Sequence, residues 1–347
     1  MHAELVVPGL FAARPVGRLP GLELLLARGR CSSAESRHLA DWLAQAFALG
    51  EGPLPAGALT AAAAGEAPDE QCWARLDPVH LRLMRDRLIL LPGAALRITA
   101  EEASALADAL NAHFAGRVAL RVAEPSRWAA RLGEGLEAAA ECPLDLAGRD
   151  VDLCLPAGRD AKRAHQLLNE AQMVLHSHPV NEAREARGEP AINSLWLWGT
   201  GRNPGTRETR WHSVVADDPL VRGLARSAGV RHEAVPANAG AWLARAPEDG
   251  RHLVMLDALR LPLALGEAGE TEETLARLER DWFAPLLDAL RSRRIGMVSC
   301  HIPDGPECVA FETIRGDLRR FWRRPKALGT YTCRSSSVPI AKPTARR

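Results

Sequence analysis

The chain has 347 residues, 47% of them hydrophobic and 25% charged, which excludes wholesale disorder and supplies a core without disulfide or metal staples. No apolar run approaches the roughly 18 residues of a spanning helix, and the first residues, with Pro8, Gly9 and no basic cluster, do not read as a secretory leader. The formal charge of +1 averages two unlike parts: Leu318 to Arg347 holds nine basic residues and no acidic one, leaving the rest at −8.

Leu5 to Pro8 reads as a short strand and Leu19 to Arg28 as a helix that Gly29 stops. Ser32 with Glu35 has the spacing of a capping box, opening a helix with Leu39, Leu43, Ala46 and Phe47 on one face. Residues 51–70, with Gly, Pro and an alanine run, read as a loop or boundary. Residues 79–84 and 87–91 read as strands around Arg85-Asp86, and Thr99 with Glu102 is a second capping box before a helix ending near Gly116. Val118 to Val122 is the next strand.

Asp160 precedes a long helix whose apolar positions run from Ala164 to Leu175 at helical period. Pro179 restarts it and Gly188 ends the short helix that follows. Ser194 to Trp198 is a strand, leading into a glycine-bearing loop from Gly199 to Gly205. Pro219 to Ser227 and Thr271 to Arg291 read as helices, Leu253 to Leu256 and Ile295 to Ser299 as strands. This alternation predicts an α/β sheet with helical crossovers. Residues 323–347 read as a disordered basic tail.

Seven cysteines without a CxxC pair or zinc spacing fit a reduced, cytoplasmic protein. His176 and His178 offer two metal-ligand nitrogens but lack a third ligand at a familiar spacing. The loop with Gly199 and Gly201 can aim N–H groups at a phosphate, with Arg202 and Arg207 as charge partners; a loop that only turns the chain is the plainer reading. Asn181 and Arg184 stand one helical turn apart and can face one ligand; on spacing alone a solvated helix face with a capping Asn is the plainer reading. Ser32 and Ser33 are nucleophiles only if a base or metal activates them. The basic tail could attract nucleic acid or a protein, although only Trp322 and Tyr331 interleave its charges.

The run from Leu167-Leu168-Asn169 through His178-Pro179-Val180-Asn181, Arg184, Gly188, Pro190-Ala191-Ile192-Asn193 and Trp196-Leu197-Trp198-Gly199-Thr200-Gly201 is similar to archaeal-type cofactor-independent phosphoglycerate mutases of the alkaline phosphatase superfamily. The Asn193-to-Gly199 stretch resembles further an RpfE-type bacterial regulatory group within that set. Outside the run, Leu19 to Gly29, residues 79–114, Asp218 to Gly229 and Leu275 to Leu287 resemble the same family.

The resemblance implies an alkaline-phosphatase-like α/β core with helices on both faces, split by an inserted α+β domain. The expected division is core 1–69, insert 70–190, core 191–322 and tail 323–347. It implies a phosphorylated small-molecule ligand at Asn181, Arg184, Gly199, Gly201, Arg202 and Arg207, and no membrane partner. An active member needs two divalent ions, manganese or magnesium, and a serine. Here the first acidic block reads Val7-Pro8-Gly9-Leu10-Phe11, and only Asp257, His301 and Asp304 remain as ligands, with Ser32 or Ser33 near the nucleophile. Several anionic ligands are needed to offset two divalent charges. The expectation is therefore a catalytically inactive, regulatory or ligand-binding protein without cofactor. The alternative is an active phosphomutase or phosphohydrolase in which His301 takes part.

Overall fold

The computed structural model describes residues 1–331 other than 36–37, 51, 67–69, 85–86, 139, 152–153, 206–207, 248 and 305–306. The chain opens with β1 (His2–Val6), α1 (Pro20–Arg28), β2 (Arg30–Glu35), α2 (Leu39–Ala46) and α3 (Ala56–Ala63). A second block follows: β3 (Cys72–Met84), β4 (Arg87–Pro92), α4 (Ala100–Phe114), β5 (Val118–Glu124), β6 (Arg127–Leu132), α5 (Pro143–Leu146), α6 (Ala161–His176), α7 (Pro179–Ala186) and β7 (Ser194–Gly201). The return leg holds β8 (Ser213–Val215), α8 (Pro219–Ser227), β9 (Arg231–Glu233), α9 (Ala239–Leu243), β10 (Arg251–Met255) and α10 (Arg260–Leu265). It closes with α11 (Ala268–Leu278), a π-helical turn (Glu279–Phe283), α12 (Ala284–Arg291), β11 (Met297–Pro303) and β12 (Glu307–Ile314).

The main sheet has seven strands in the order β2-β12-β11-β1-β10-β8-β9. The run from β11 to β9 is parallel, while β12 and β2 add an antiparallel edge. Parallel strands are covered on both faces and so carry apolar residues at successive positions. In β1, Ala3 and Leu5 pack with Leu22, Phe283 and Leu286, whereas Val6 packs on the other face with Trp42, Leu59 and Val221. This is the split α/β architecture expected from the sequence, with helices on both faces. Among the described residues no helix is long and apolar enough to cross a membrane.

The second sheet joins β4, β3, β6 and β5, with β7 on the other edge of β3. Because β7 pairs with β3, this sheet extends past residue 190 to Gly201. Helices α4 and α6 cover it, burying Leu106, Leu110, Leu168 and Leu175. The Thr99 capping box is present: its hydroxyl accepts from the Glu102 N–H, and Glu102 accepts from the Thr99 N–H. Such a cap is worth about 1 kcal/mol.

Three local expectations need correction. Ser32 and Ser33 lie in edge strand β2, paired with Ala310 and Val309, so the Ser-x-x-Glu spacing caps nothing and the helix begins at Leu39. Residues 56–63 are a helix rather than a loop, buried on nearly every side against α8, β3 and β6. Its small side chains allow that approach: a Cβ on Gly57 would meet the Ala74 backbone at 2.3 Å. A helix buried all round has no polar face and no amphipathic period to read. The expected tail is partly folded, since Leu328 is buried with the main core and Tyr331 packs edge-on against Phe311 at 6.0 Å. Residues 332–347 lie outside the described residues.

Candidate functional site

In open α/β sheets the loops leaving the carboxyl ends of the strands form the ligand crevice. Here those loops carry Gly9 after β1, Asp217 and Asp218 after β8, Asp257 and Arg260 after β10, and Asp304 after β11. Facing them from the second block are α5 and strands β3 and β6. A cavity of about 400 Å³ lies between, lined by Gly9, His38, Asp145, Arg149, Arg260 and Asp304 among others. Beside it a space of about 30 Å³, room for roughly one water, is lined by Arg75, Asp77, Arg127, Cys142, Asp218 and Arg260.

Arg260 opens α10 and joins the two blocks. Its Nη2 donates to Asp145 Oδ1 at 2.8 Å and lies 3.8 Å from Cys142 Sγ. Burial opposes its charge, but Cys142, Asp145 and Asp257 outweigh that, so the guanidinium is held charged more firmly than usual. Burial also pushes the Cys142 thiol up. Asp257, under the influence of the same arginine, has its carboxyl pushed up to about 6 by burial and by Asp218. It lines a separate cavity of about 230 Å³ with Asp217, Arg277, Asp281 and Trp282.

Asp304 turns back onto the first loop. Its oxygens accept from the Gly9 N–H at 2.5 Å and the Phe11 N–H at 2.8 Å. Gly9 has φ +86°, the left-handed region that glycine enters without cost, and a Cβ there would strike Leu263 at 2.5 Å. Burial raises the Asp304 carboxyl, and the N–H groups of the loop and Arg260 counter it only in part.

His301 serves another centre. Its Nε2 is 3.4 Å from Glu4 Oε2, and its ring lies 5.2 Å from Trp42. Glu4, 2% exposed in the middle of β1, also gathers Arg210 at 3.1 Å, His2 at 3.5 Å and Arg251 at 3.6 Å. Burial alone would raise its carboxyl, but His301, Arg210 and His2 hold it below the usual range. Ser32 is exposed on β2, two strands from His301 in register, a lateral gap of about 10 Å.

Of the residues expected to hold a ligand, Asn181, Arg184, Gly199 and Gly201 are engaged in packing. The Asn181 amide donates to the carbonyls of Leu175 and Ile192 and accepts from the Ile192 N–H. Arg184, 1% exposed, donates to the carbonyls of Pro190 and Leu96 and to Glu102 at 2.7 Å. Both therefore tie α7 to the loops beside it. Gly199 and Gly201 belong to β7, and Cβ atoms there would meet Ala56 and Pro55, so these glycines admit α3. Arg202 is exposed, and Arg207 lies outside the described residues.

Sequence reasoning missed the buried pair beside the cleft. Arg75 donates from Nε and Nη2 to Asp77 Oδ1 at 3.0 and 2.7 Å, and from Nη1 to Thr60 at 3.1 Å. Asp77 also accepts from the Trp198 indole at 2.8 Å and the Trp128 N–H at 3.1 Å. Its signal was two opposite charges two positions apart in an apolar strand, which places both on one face.

A divalent metal centre does not fit these residues. Among the described residues no three His, Cys, Asp or Glu side chains are grouped to hold an ion. Asp304 spends its oxygens on backbone N–H groups, His301 faces Glu4, and a guanidinium influences both Asp257 and Asp304.

A family model described as 2,3-bisphosphoglycerate-independent phosphoglycerate mutase matches residues 56–181. The 2,3-bisphosphoglycerate-independent phosphoglycerate mutase 2 of Methanothermobacter thermautotrophicus is 30% identical over 286 residues, covering 72% of this chain and 71% of that protein. The corresponding mutase of Methanosarcina mazei is 23% identical over 331 residues, covering 85% and 81%. Among solved structures, the PH0037 protein from Pyrococcus horikoshii has the same fold, with TM-score 0.54 and 14% identity over 90% of this chain and 87% of that one. With a main sheet split by a second block and a relative of that identity along most of its length, the chain belongs to the 2,3-bisphosphoglycerate-independent phosphoglycerate mutase family.

Proposed function

We infer that this chain is a binding member of the family, holding a phosphorylated small molecule in the cleft between the two blocks without transferring its phosphoryl group. The observation that carries this is Arg260: a charged guanidinium bonded to Asp145 and influencing Asp257 and Asp304, where two divalent ions would require a surplus of anionic ligands. Arg149, 59% exposed and only 3.8 Å from Glu141, stands on the rim as a cation able to turn toward an anion. The regulatory role expected from the RpfE-type resemblance is a consequence of binding without turnover.

The test is a phosphoglycerate mutase assay on purified protein with and without manganese or magnesium, beside calorimetric titration with phosphoglycerate. Saturable binding that Arg149→Ala weakens, with no metal-dependent interconversion, is the expected result. Metal-dependent turnover lost in His301→Ala would instead establish the active-enzyme reading built on Asp257, His301, Asp304 and a serine.

A further inference from the structure

The polypeptide leaves β12 through a tight turn at Arg315–Arg319 and then presents Phe321 and Trp322 to solvent, 77% and 66% exposed. Two adjacent large rings, edge to face and flanked by polar residues, form a small contiguous apolar patch of the kind that can serve as a contact surface. The segment is pinned by hydrogen bonds: Arg28 to the Leu318 carbonyl at 2.8 Å, Arg323 to the Gly29 carbonyl at 2.8 Å, and Arg320 to Asp317 at 2.8 Å. Exposed Arg319, Arg323, Arg324 and Lys326 flank the two rings along the chain. No acidic residue occurs between Leu318 and Arg347. The body that carries this patch is net acidic, so its positive charge is local.

We propose that Phe321, Trp322 and the flanking cations dock this protein on an anionic lipid bilayer surface. The charges call for an anionic partner, and the rings decide between the two macromolecular surfaces that are both anionic and aromatic-tolerant. Successive bases of a single strand stack on ring faces that are close to parallel. Phe321 and Trp322 have centroids 5.3 Å apart and planes 82° apart, so together they make one platform at most. A bilayer interface imposes no such alignment: aromatic rings settle at headgroup level, and each nearby Lys or Arg adds attraction to acidic lipid. Absence of a spanning helix does not bear on surface docking, which needs only a shallow apolar anchor and positive charge.

Full-length protein is sedimented with phosphatidylcholine vesicles with and without phosphatidylglycerol. Partition onto the acidic vesicles should be at least about tenfold stronger, and F321S/W322S and R324E/K326E should each reduce it about tenfold. The conservative F321W should retain partition. Brominated lipid should quench tryptophan fluorescence in the wild type and lose that component in W322F. Equal partition to neutral vesicles, partition unchanged in F321S/W322S, or tighter binding to a single-stranded oligonucleotide than to acidic vesicles would each overturn the proposal.

Discussion

Arg75 in the second sheet and Arg260 at the carboxyl edge of the main sheet both sit inside the molecule beside aspartate, yet they are held in opposite ways. Around Arg75 three of the donors are used, and Asp77 accepts on both oxygens from the guanidinium, an indole and a backbone N–H. Both side chains are at most 2% exposed. Arg260 donates from Nη2 alone, to an aspartate that is 35% exposed and to the Cys142 sulfur, and also influences Asp257 and Asp304. A buried pair in which every side-chain nitrogen and oxygen is bonded fixes one geometry, whereas a cation bonded through one nitrogen beside a cavity can exchange partners. The first reads as structure and the second as a place where a ligand competes.

The largest expected effect tests the satisfied side. Asp77→Ala leaves Arg75 as an uncompensated buried charge and should cost about 3–5 kcal/mol by urea denaturation. Asp257→Asn should act in the other direction. A carboxyl raised to about 6 stabilises the fold fully only below its unfolded value, and that contribution is lost as pH rises through 6. The Asn variant should therefore gain up to about 3 kcal/mol over wild type near pH 8, and the gain should vanish below pH 4. Arg260→Met should cost about 1–2 kcal/mol and move the Asp257 titration upward, read by stability measured against pH. A loss as large as that of Asp77→Ala would erase the contrast between the two arginines. Arg149→Ala, at the exposed rim, should change stability by less than about 0.5 kcal/mol while weakening phosphoglycerate binding.

Local signals carried much of the fold. The Thr99 box and the Asp218-Pro219 start of α8 are decided within four residues of chain, so the sequence displays them directly. Strand β2 was misread because Ser32 and Glu35 satisfy a capping pattern that pairing with β12, almost 280 residues away, overrides. The site was less legible. Whether Asn181 and Arg184 face a ligand or the interior depends on Leu96 and Glu102, which only the fold brings beside α7. Asp77, Asp145, Arg260 and Asp304 share no spacing, since the ends of separate strands and helices bring them together. Only Asp304 stood out in the sequence, and only through the family resemblance; Asp77, Asp145 and Arg260 carry no local pattern that marks them as a site.

The lock of Asp304 onto Gly9 and Phe11, with β1 held between β10 and β11, also sets an order of events during synthesis. The opening strand finds its partners only when residues 251–303 have left the ribosome. At 5–20 residues per second that is a wait of roughly 15–60 s. The second sheet, contiguous from Cys72 to Gly201, has all its strands long before then. Folding should thus begin in the middle of the chain and finish by capturing its start. During that interval strand His2–Val6, whose Ala3, Leu5 and Val6 belong to the core, is without the strands that cover it.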